Sequence, residues 1–118
     1  MDLKVDSTSD GQVLTLVGRG EIDYATLDVL EDELDKATAS DAETVVVDMR
    51  DVTYIDSAGL GVLVKAHRRM TSQNRALVLR VTSPDIIKLF EITGLAHLFA
   101  VEMPYDADGA RTTGSTES

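Results

Sequence analysis

The chain opens with two short segments in which apolar and polar side chains alternate. Residues 3–6 read apolar, charged, apolar, charged, as in a strand that buries one face. Asp10-Gly11 follows, a dipeptide that readily supplies the positive φ of a tight hairpin turn. The alternation then resumes over residues 13–17. The pattern predicts an antiparallel β-hairpin at the start of the fold.

The period of the apolar positions changes between residues 25 and 39. Leu27, Leu30, Leu34 and Ala37 recur at steps of three and four, and acidic residues occupy most of the positions between them. The spacing predicts an amphipathic helix over Ala25–Ala39. Its acidic outer face is typical of a helix surface that contacts solvent.

Strand and helix patterns alternate in the next part of the chain. The β-branched block Val45–Val47 is short and continuous, which favours a strand buried on both faces in a parallel sheet. Ala58–Gln73 has a helical apolar stripe, and Ala76–Val81 is another apolar strand segment. We therefore predict a strand, a helix and a second strand in this order.

A third helix has clear signals at both ends. Ser83-Pro84-Asp85 combines a capping hydroxyl, a proline at the first helical position and an early carboxylate. Gly94 is expected to end this helix. A last apolar turn and a short strand near Val101 are predicted to follow it.

The composition changes near the carboxyl end. From Asp106 onward the chain is mostly Asp, Gly, Thr and Ser, and such a stretch buries too little apolar surface to offset its ordering entropy. We predict one α/β domain over 1–103 and a flexible tail over 104–118. The domain should be a sandwich of helices packed on a mixed β-sheet that the hairpin opens.

Composition narrows the possible functions. The chain has 118 residues and no cysteine, which excludes disulfides and thiolate metal sites. Its formal net charge is −10, so its surface repels nucleic acid and anionic lipid at long range. Residues 1–5 show no basic region followed by an apolar stretch, and no segment reaches the length of a membrane span. We expect a soluble cytoplasmic protein that binds neither nucleic acid nor membrane.

One local group of basic residues allows two interpretations. It is explained either by the helix macrodipole, which favours cations near a helix C-terminus, or by a patch that contacts a protein partner. The group consists of Lys65, Arg68, Arg69, Arg75 and Arg80.

The segment from Val45 to Gly61 is the strongest candidate for function. A buried strand leads to a helix that begins near Ser57, where free backbone N–H groups point outward. In one interpretation Asp56 or Ser57 only caps this helix, and Gly59 and Gly61 ease its packing. In the other, Ser57 is a phosphorylation site, and the positive end of the helix dipole would tolerate the phosphate, so that the site could be switched without unfolding.

Three blocks of the sequence resemble one family, the STAS domains, named for sulphate transporters and anti-sigma-factor antagonists. Residues 56–61 are similar to its signature Asp-Ser-(Ser/Thr/Ala)-Gly-Leu-Gly. Residues 20–23 resemble its Gly-Glu-(Ile/Leu)-Asp block, and residues 89–95 resemble its Leu-Phe-(Asp/Glu)-x-(Ser/Thr)-Gly-Leu block. The blocks occur in family order and the resemblance covers nearly everything before Pro104.

The resemblance implies a regulatory binding protein that switches partners. Such a protein binds an anti-sigma factor that is also a serine kinase, and thereby releases a sigma factor. Phosphorylation of the serine after the signature aspartate, here Ser57, ends the capture, and a serine phosphatase restores it. Ala58 leaves Ser57 as the only hydroxyl in the signature. The implied partner-binding residues are Asp23, Asp56, Ser57, Ala58, Gly59 and Leu60.

Other functions are weighed against this one. Within the family, the domain could serve another signalling or transport complex. A two-component receiver domain would use acidic residues such as Asp48 after its strands, but it needs a lysine after its last strand, and Lys88 falls within a predicted helix. The chain lacks Gly-x-Ser-x-Gly and phosphate-loop motifs, and His67 and His97 lack metal-ligand spacing. We therefore expect no enzyme activity, no cofactor and no metal.

Overall fold

An N-terminal hairpin forms one edge of the sheet, as predicted. A computed structural model describes residues 2–102, with the side chains of 100–102 left undescribed. Strands β1 (Leu3–Asp10) and β2 (Val13–Ile22) pair in antiparallel fashion. Gly11 takes the turn with a φ of +62°. Gly20 has a φ of +118°, and a Cβ on it would lie 2.2 Å from the carbonyl oxygen of Asp2, so this close approach of two backbones requires glycine.

The other strands of the sheet run parallel to β2. They are β3 (Thr44–Ile55), β4 (Ala76–Arg80) and β5 (Ala100–Glu102), and the spatial order of the strands equals their order in the chain. Crossovers between parallel strands are right-handed in nearly all proteins. Because the strands β2 to β5 follow one another in a single direction across the sheet, right-handed crossovers place every connecting helix on the same face. The sheet is mixed and the fold is α/β, which confirms the predicted fold class.

Three helices cover this face. They are α1 (Leu27–Ala39), α2 (Ser57–Thr71) and α3 (Pro84–Thr93), and a single 3₁₀ turn (Leu95–His97) follows α3. The His67 ring of α2 meets the edge of Phe99 at 5.1 Å between centroids, and Phe99 also contacts Phe90 of α3. The predicted stripes therefore pack together over the sheet in a single core.

The basic group divides into separate structural roles. Arg68 and Arg69 lie in the last turn of α2, as the macrodipole interpretation expects. The Arg75 guanidinium donates hydrogen bonds of 2.8 Å to the carbonyl oxygens of Thr38 and Ser40 at the end of α1 and of Ala42 in the loop that follows. Arg75 thus satisfies two carbonyls of the helix end as well as one in the loop.

The predicted elements are all present, with shifted limits. Helix α1 begins at Leu27 instead of Ala25, and β3 extends well past the predicted block to Ile55. The tail predicted over 104–118 lies outside the described residues, so its flexibility stays a prediction. Within residues 2–102, no helix is both long and apolar enough to cross a bilayer.

Candidate functional site

The family-like blocks around residues 20–23 and 56–61 meet at the edge of the sheet where the carboxyl ends of β2 and β3 lie side by side. Strands β2 and β3 run parallel and end in register, with Ile22 opposite Ile55. The carboxyl ends of neighbouring parallel strands therefore bring the loop after β2 next to the start of α2. The backbone N–H of Asp56 donates to the carbonyl oxygen of Ile22 at 3.1 Å, which extends this pairing beyond the strands.

Asp56 is the N-cap of α2. Its Oδ1 accepts a hydrogen bond from the backbone N–H of Gly59 at 3.0 Å. Ser57 is then the first helical residue and is exposed, and within residues 2–102 its hydroxyl makes no hydrogen bond to another group. Of the two candidates for the cap, Asp56 has that role, and the Ser57 hydroxyl remains accessible at the positive end of the helix.

The second carboxylate oxygen of Asp56 reaches across to the loop after β2. Its Oδ2 accepts a hydrogen bond of 3.1 Å from the backbone N–H of Tyr24. One carboxylate thus joins two segments that lie far apart in the chain. This bridge fixes the position of the loop relative to Ser57.

The loop after β2 is also closed by hydrogen bonds of its own. The Asp23 Oδ1 accepts from the Thr26 N–H at 3.0 Å, and the Asp23 N–H donates to the Thr26 Oγ1 at 3.0 Å. The buried Thr26 hydroxyl donates to the carbonyl oxygen of Glu21 at 2.8 Å. Asp23 is half-buried, so its carboxylate both closes this turn and borders the surface next to α2.

The remaining signature residues divide into buried and accessible positions. Gly59 and Leu60 are buried, with Leu60 only 7% exposed, whereas Ala58 is half-buried and Gly61 is exposed. A Cβ on Gly59 would lie 2.5 Å from Ile22 Cγ2, so this glycine lets α2 approach the sheet. A Cβ on Gly61 would meet no atom within 4 Å.

Two exposed tyrosines border the site, and sequence reasoning missed both. Tyr24 is 84% exposed in the loop after β2, and Tyr54 is 48% exposed near the end of β3. A groove of about 320 Å³ opens beside Tyr54. It is lined by Thr53, Tyr54, Ile55, Asp85, Ile86 and Leu89. An aromatic residue in a polar turn directly after the Gly-Glu-Ile-Asp block was the available signal for Tyr24.

Asp48 does not have the environment of a receiver-domain phosphate acceptor. It is 5% exposed, and its Oδ2 accepts from the Arg50 Nη2 at 2.7 Å, with the Arg80 Nη1 at 3.9 Å. Burial opposes ionisation of Asp48, but the hydrogen bonds and positive charge of Arg50, aided by Arg80, hold the pKa of this carboxyl below its usual range. Lys88 lies on α3, and the opening strand pair is antiparallel, so the receiver alternative is excluded.

Candidate metal ligands are not grouped at this edge. Among residues 2–102, no three His, Asp or Glu side chains converge in an arrangement that would hold a metal ion. The described part of the site therefore consists of backbone N–H groups, carboxylates, small side chains and exposed aromatics. Such a surface suits binding to another protein.

Comparisons with known proteins agree with the motif blocks. The family model of the STAS domain matches residues 4–107. An anti-sigma-B factor antagonist of Staphylococcus aureus is 31% identical over 101 residues, which cover 86% of this chain and 94% of that protein. An anti-sigma-B factor antagonist of Listeria monocytogenes is 34% identical over 83 residues, covering 70% of this chain and 73% of that protein.

A solved structure shows the same fold. The crystal structure of an anti-sigma factor antagonist from Mycobacterium paratuberculosis superposes with a TM-score of 0.80, at 21% identity and 86% coverage of both chains. At this level of identity the likeness concerns the fold alone. It supports the observed sheet order and the placement of the helices.

Proposed function

This chain belongs to the STAS domain family, and from that premise we propose that it is an anti-sigma-factor antagonist controlled by phosphorylation of Ser57. In its unmodified form it binds an anti-sigma factor that is also a serine kinase, and a sigma factor is released. The observation that carries this proposal is the exposed Ser57 hydroxyl at the start of α2. Asp56 caps this helix, so the Ser57 hydroxyl is not needed as the cap.

The geometry at Ser57 supports reversible phosphorylation. Because Asp56 supplies the cap, a phosphate on Ser57 removes no hydrogen bond that the helix requires. The positive end of the α2 dipole favours the added charge of about −1.5 to −2. The modified chain is therefore expected to keep its fold, so that a serine phosphatase can restore the original state.

The proposed contact surface consists of the accessible part of the signature and the neighbouring loop. Ser57, Ala58 and Asp23 reach the surface, whereas Gly59 and Leu60 act from below by fixing α2 on the sheet. A phosphate at Ser57 would crowd and repel a partner seated there. Two like charges about 4 Å apart at an effective dielectric near 20 repel by about 4 kcal/mol, which corresponds to more than a hundredfold in affinity.

The proposal gives the chain a binding role in the cytoplasm, where sigma factors act, and assigns it no catalytic step. The kinase and phosphatase supply the chemistry at Ser57. The family resemblance also fits a STAS module of another signalling complex, and that alternative predicts no effect on a sigma factor.

A release assay tests the proposed function. The purified complex of the cognate anti-sigma kinase and its sigma factor is mixed with this chain and ADP, and free sigma factor is measured by size-exclusion chromatography. Wild type and Ser57→Ala should release sigma factor. Ser57→Asp should release less, because its negative charge repels the partner as a phosphate would. The loss should be partial, because one charge does not equal the larger charge of a phosphate. Ser83→Asp is the matched control, since it places the same charge at the start of α3 and aspartate also caps helices well.

Either of two results would contradict the proposal. If wild-type chain fails to displace the sigma factor, the chain is not its antagonist. If Ser57→Asp and the control Ser83→Asp both release as much sigma factor as wild type, a negative charge at Ser57 does not control binding.

A further inference from the structure

The loop after β2 carries the most exposed aromatic side chain among residues 2–102. Tyr24 is 84% exposed and contributes almost nothing to the core, yet its backbone is fixed on both sides. On the C-terminal side, the buried Thr26 closes the turn with Asp23 and Glu21. At Tyr24 itself, the backbone N–H donates a hydrogen bond of 3.1 Å to the Asp56 Oδ2.

We infer that Asp56 is a positioning residue that holds Tyr24 beside Ser57, and that Tyr24 is a partner-contact residue which none of the three motif blocks assigns. This inference rests on the proposed function, because it names how the same surface is built. It also changes the role expected for Asp56, whose carboxylate binds two backbone N–H groups of its own chain.

The two bonds of Asp56 explain why an aspartate suits this position. A single acceptor oxygen would be enough to cap α2, as the hydroxyl of Ser83 does for α3. Asp56 has a second oxygen, and that oxygen orients the Tyr24 backbone from a helix that the core fixes on the sheet. Interface energy is concentrated in a few residues, among which tyrosine is enriched, and a side chain with its backbone already fixed loses less entropy on binding.

The substitution Asp56→Asn separates the two bonds. The two backbone N–H groups bond to different oxygens of Asp56, so an amide in the same orientation offers its oxygen to one of them and turns its own NH2 group toward the other. Asparagine is about as good an N-cap as aspartate, so the bond to Gly59 within the helix turn should be kept and the bond to Tyr24 lost. Asp28→Asn is the matched control, because Asp28 is an exposed carboxylate in the first turn of α1 and its loss changes the net charge equally.

Amide hydrogen exchange measured by NMR tests the positioning role without any partner. In Asp56→Asn the Tyr24 amide should exchange about tenfold faster, as expected for the loss of one hydrogen bond to a charged group, and the Gly59 amide should change little. Asp28→Asn should alter neither amide. An unchanged Tyr24 amide in Asp56→Asn would overturn the positioning role.

A double-mutant cycle tests the contact role of Tyr24 with the purified cognate anti-sigma kinase as the probe. Tyr24→Ala should weaken binding at least tenfold, whereas Ile92→Ala, which truncates an exposed apolar residue on α3, should not. If Asp56 acts by placing Tyr24, then Asp56→Asn should weaken binding of the wild-type background but add little to Tyr24→Ala. Additive losses would mean that Asp56 contacts the partner itself, and unweakened binding by Tyr24→Ala would mean that Tyr24 does not; either result overturns the inference.

These results are distinguishable from a failure of the proposed function. If wild-type chain does not bind the kinase at all, the proposed function fails and the contact role of Tyr24 fails with it. The exchange rates of Tyr24 and Gly59 still decide whether Asp56 holds the loop. If wild type binds and Tyr24→Ala binds equally well, only the inference fails.

Discussion

Helices α2 and α3 both start with a serine close to the first turn, but the two serines have different roles. At α3 the Ser83 hydroxyl accepts the bond from the Ile86 N–H at 3.4 Å and is itself the cap. At α2 the preceding Asp56 is the cap, and Ser57 is displaced by one position into the first turn. In this chain the serine that caps its own helix has its hydroxyl engaged, whereas the serine that follows an aspartate cap keeps an exposed hydroxyl that a kinase could reach.

A second contrast lies within α2, where two glycines of one signature have different environments. Gly59 faces the sheet and a Cβ on it would overlap side-chain atoms of Ile22 and Ile55, whereas Gly61 faces open space. The first glycine is therefore required by packing inside the chain. The second is not, since nothing within the described fold approaches it closely.

The largest predicted change in stability tests the contrast between Gly59 and Gly61. Gly59→Ala should lower the free energy of unfolding by about 1–3 kcal/mol, because the added methyl group pushes against Ile22 and Ile55. Gly61→Ala is the matched control and should raise it by roughly 0.5–1 kcal/mol, because alanine is the better helix former. Urea unfolding of both variants measures the difference, and equal values would show that packing does not distinguish the two glycines.

A smaller change in stability tests the difference between Ser57 and Ser83 at the two helix starts. Ser83→Ala removes the cap of α3 and should cost about 0.5–2 kcal/mol, toward the lower end because the bond is long. Ser57→Ala should change the free energy of unfolding by less than about 0.5 kcal/mol, because its hydroxyl supports no bond within residues 2–102. Thermal unfolding of the two variants checks this. A loss at Ser57 as large as that at Ser83 would mean that Ser57 is structural.

Local signals were sufficient to predict much of the fold. The start of α3 follows from Ser83 and Pro84, and its end follows from Gly94, which adopts the left-handed conformation with a φ of +78°. The opening hairpin likewise follows from one dipeptide between two alternating segments. In each case the residues that determine the element are close together in sequence, so a short segment is enough to predict it.

Other features depend on contacts between distant segments and were not predictable. The bond from the Tyr24 N–H to the Asp56 carboxylate joins residues 32 positions apart, and Arg75 reaches the end of α1 across a similar separation. The different roles of Gly59 and Gly61 appear only once α2 is packed on the sheet. The sequence indicated a candidate site, but the relative positions of its residues depend on strand register and helix packing.

The most direct test of the central claim is to treat the chain with its cognate kinase and ATP, and to map the phosphate by mass spectrometry. Wild type should take up one phosphate on Ser57, and Ser57→Ala should take up none while still binding the kinase. The purified phosphorylated chain should then have lost most of its affinity for the kinase. Phosphate found on Thr53 or Thr71 instead, or full binding by the phosphorylated chain, would contradict the proposed switch.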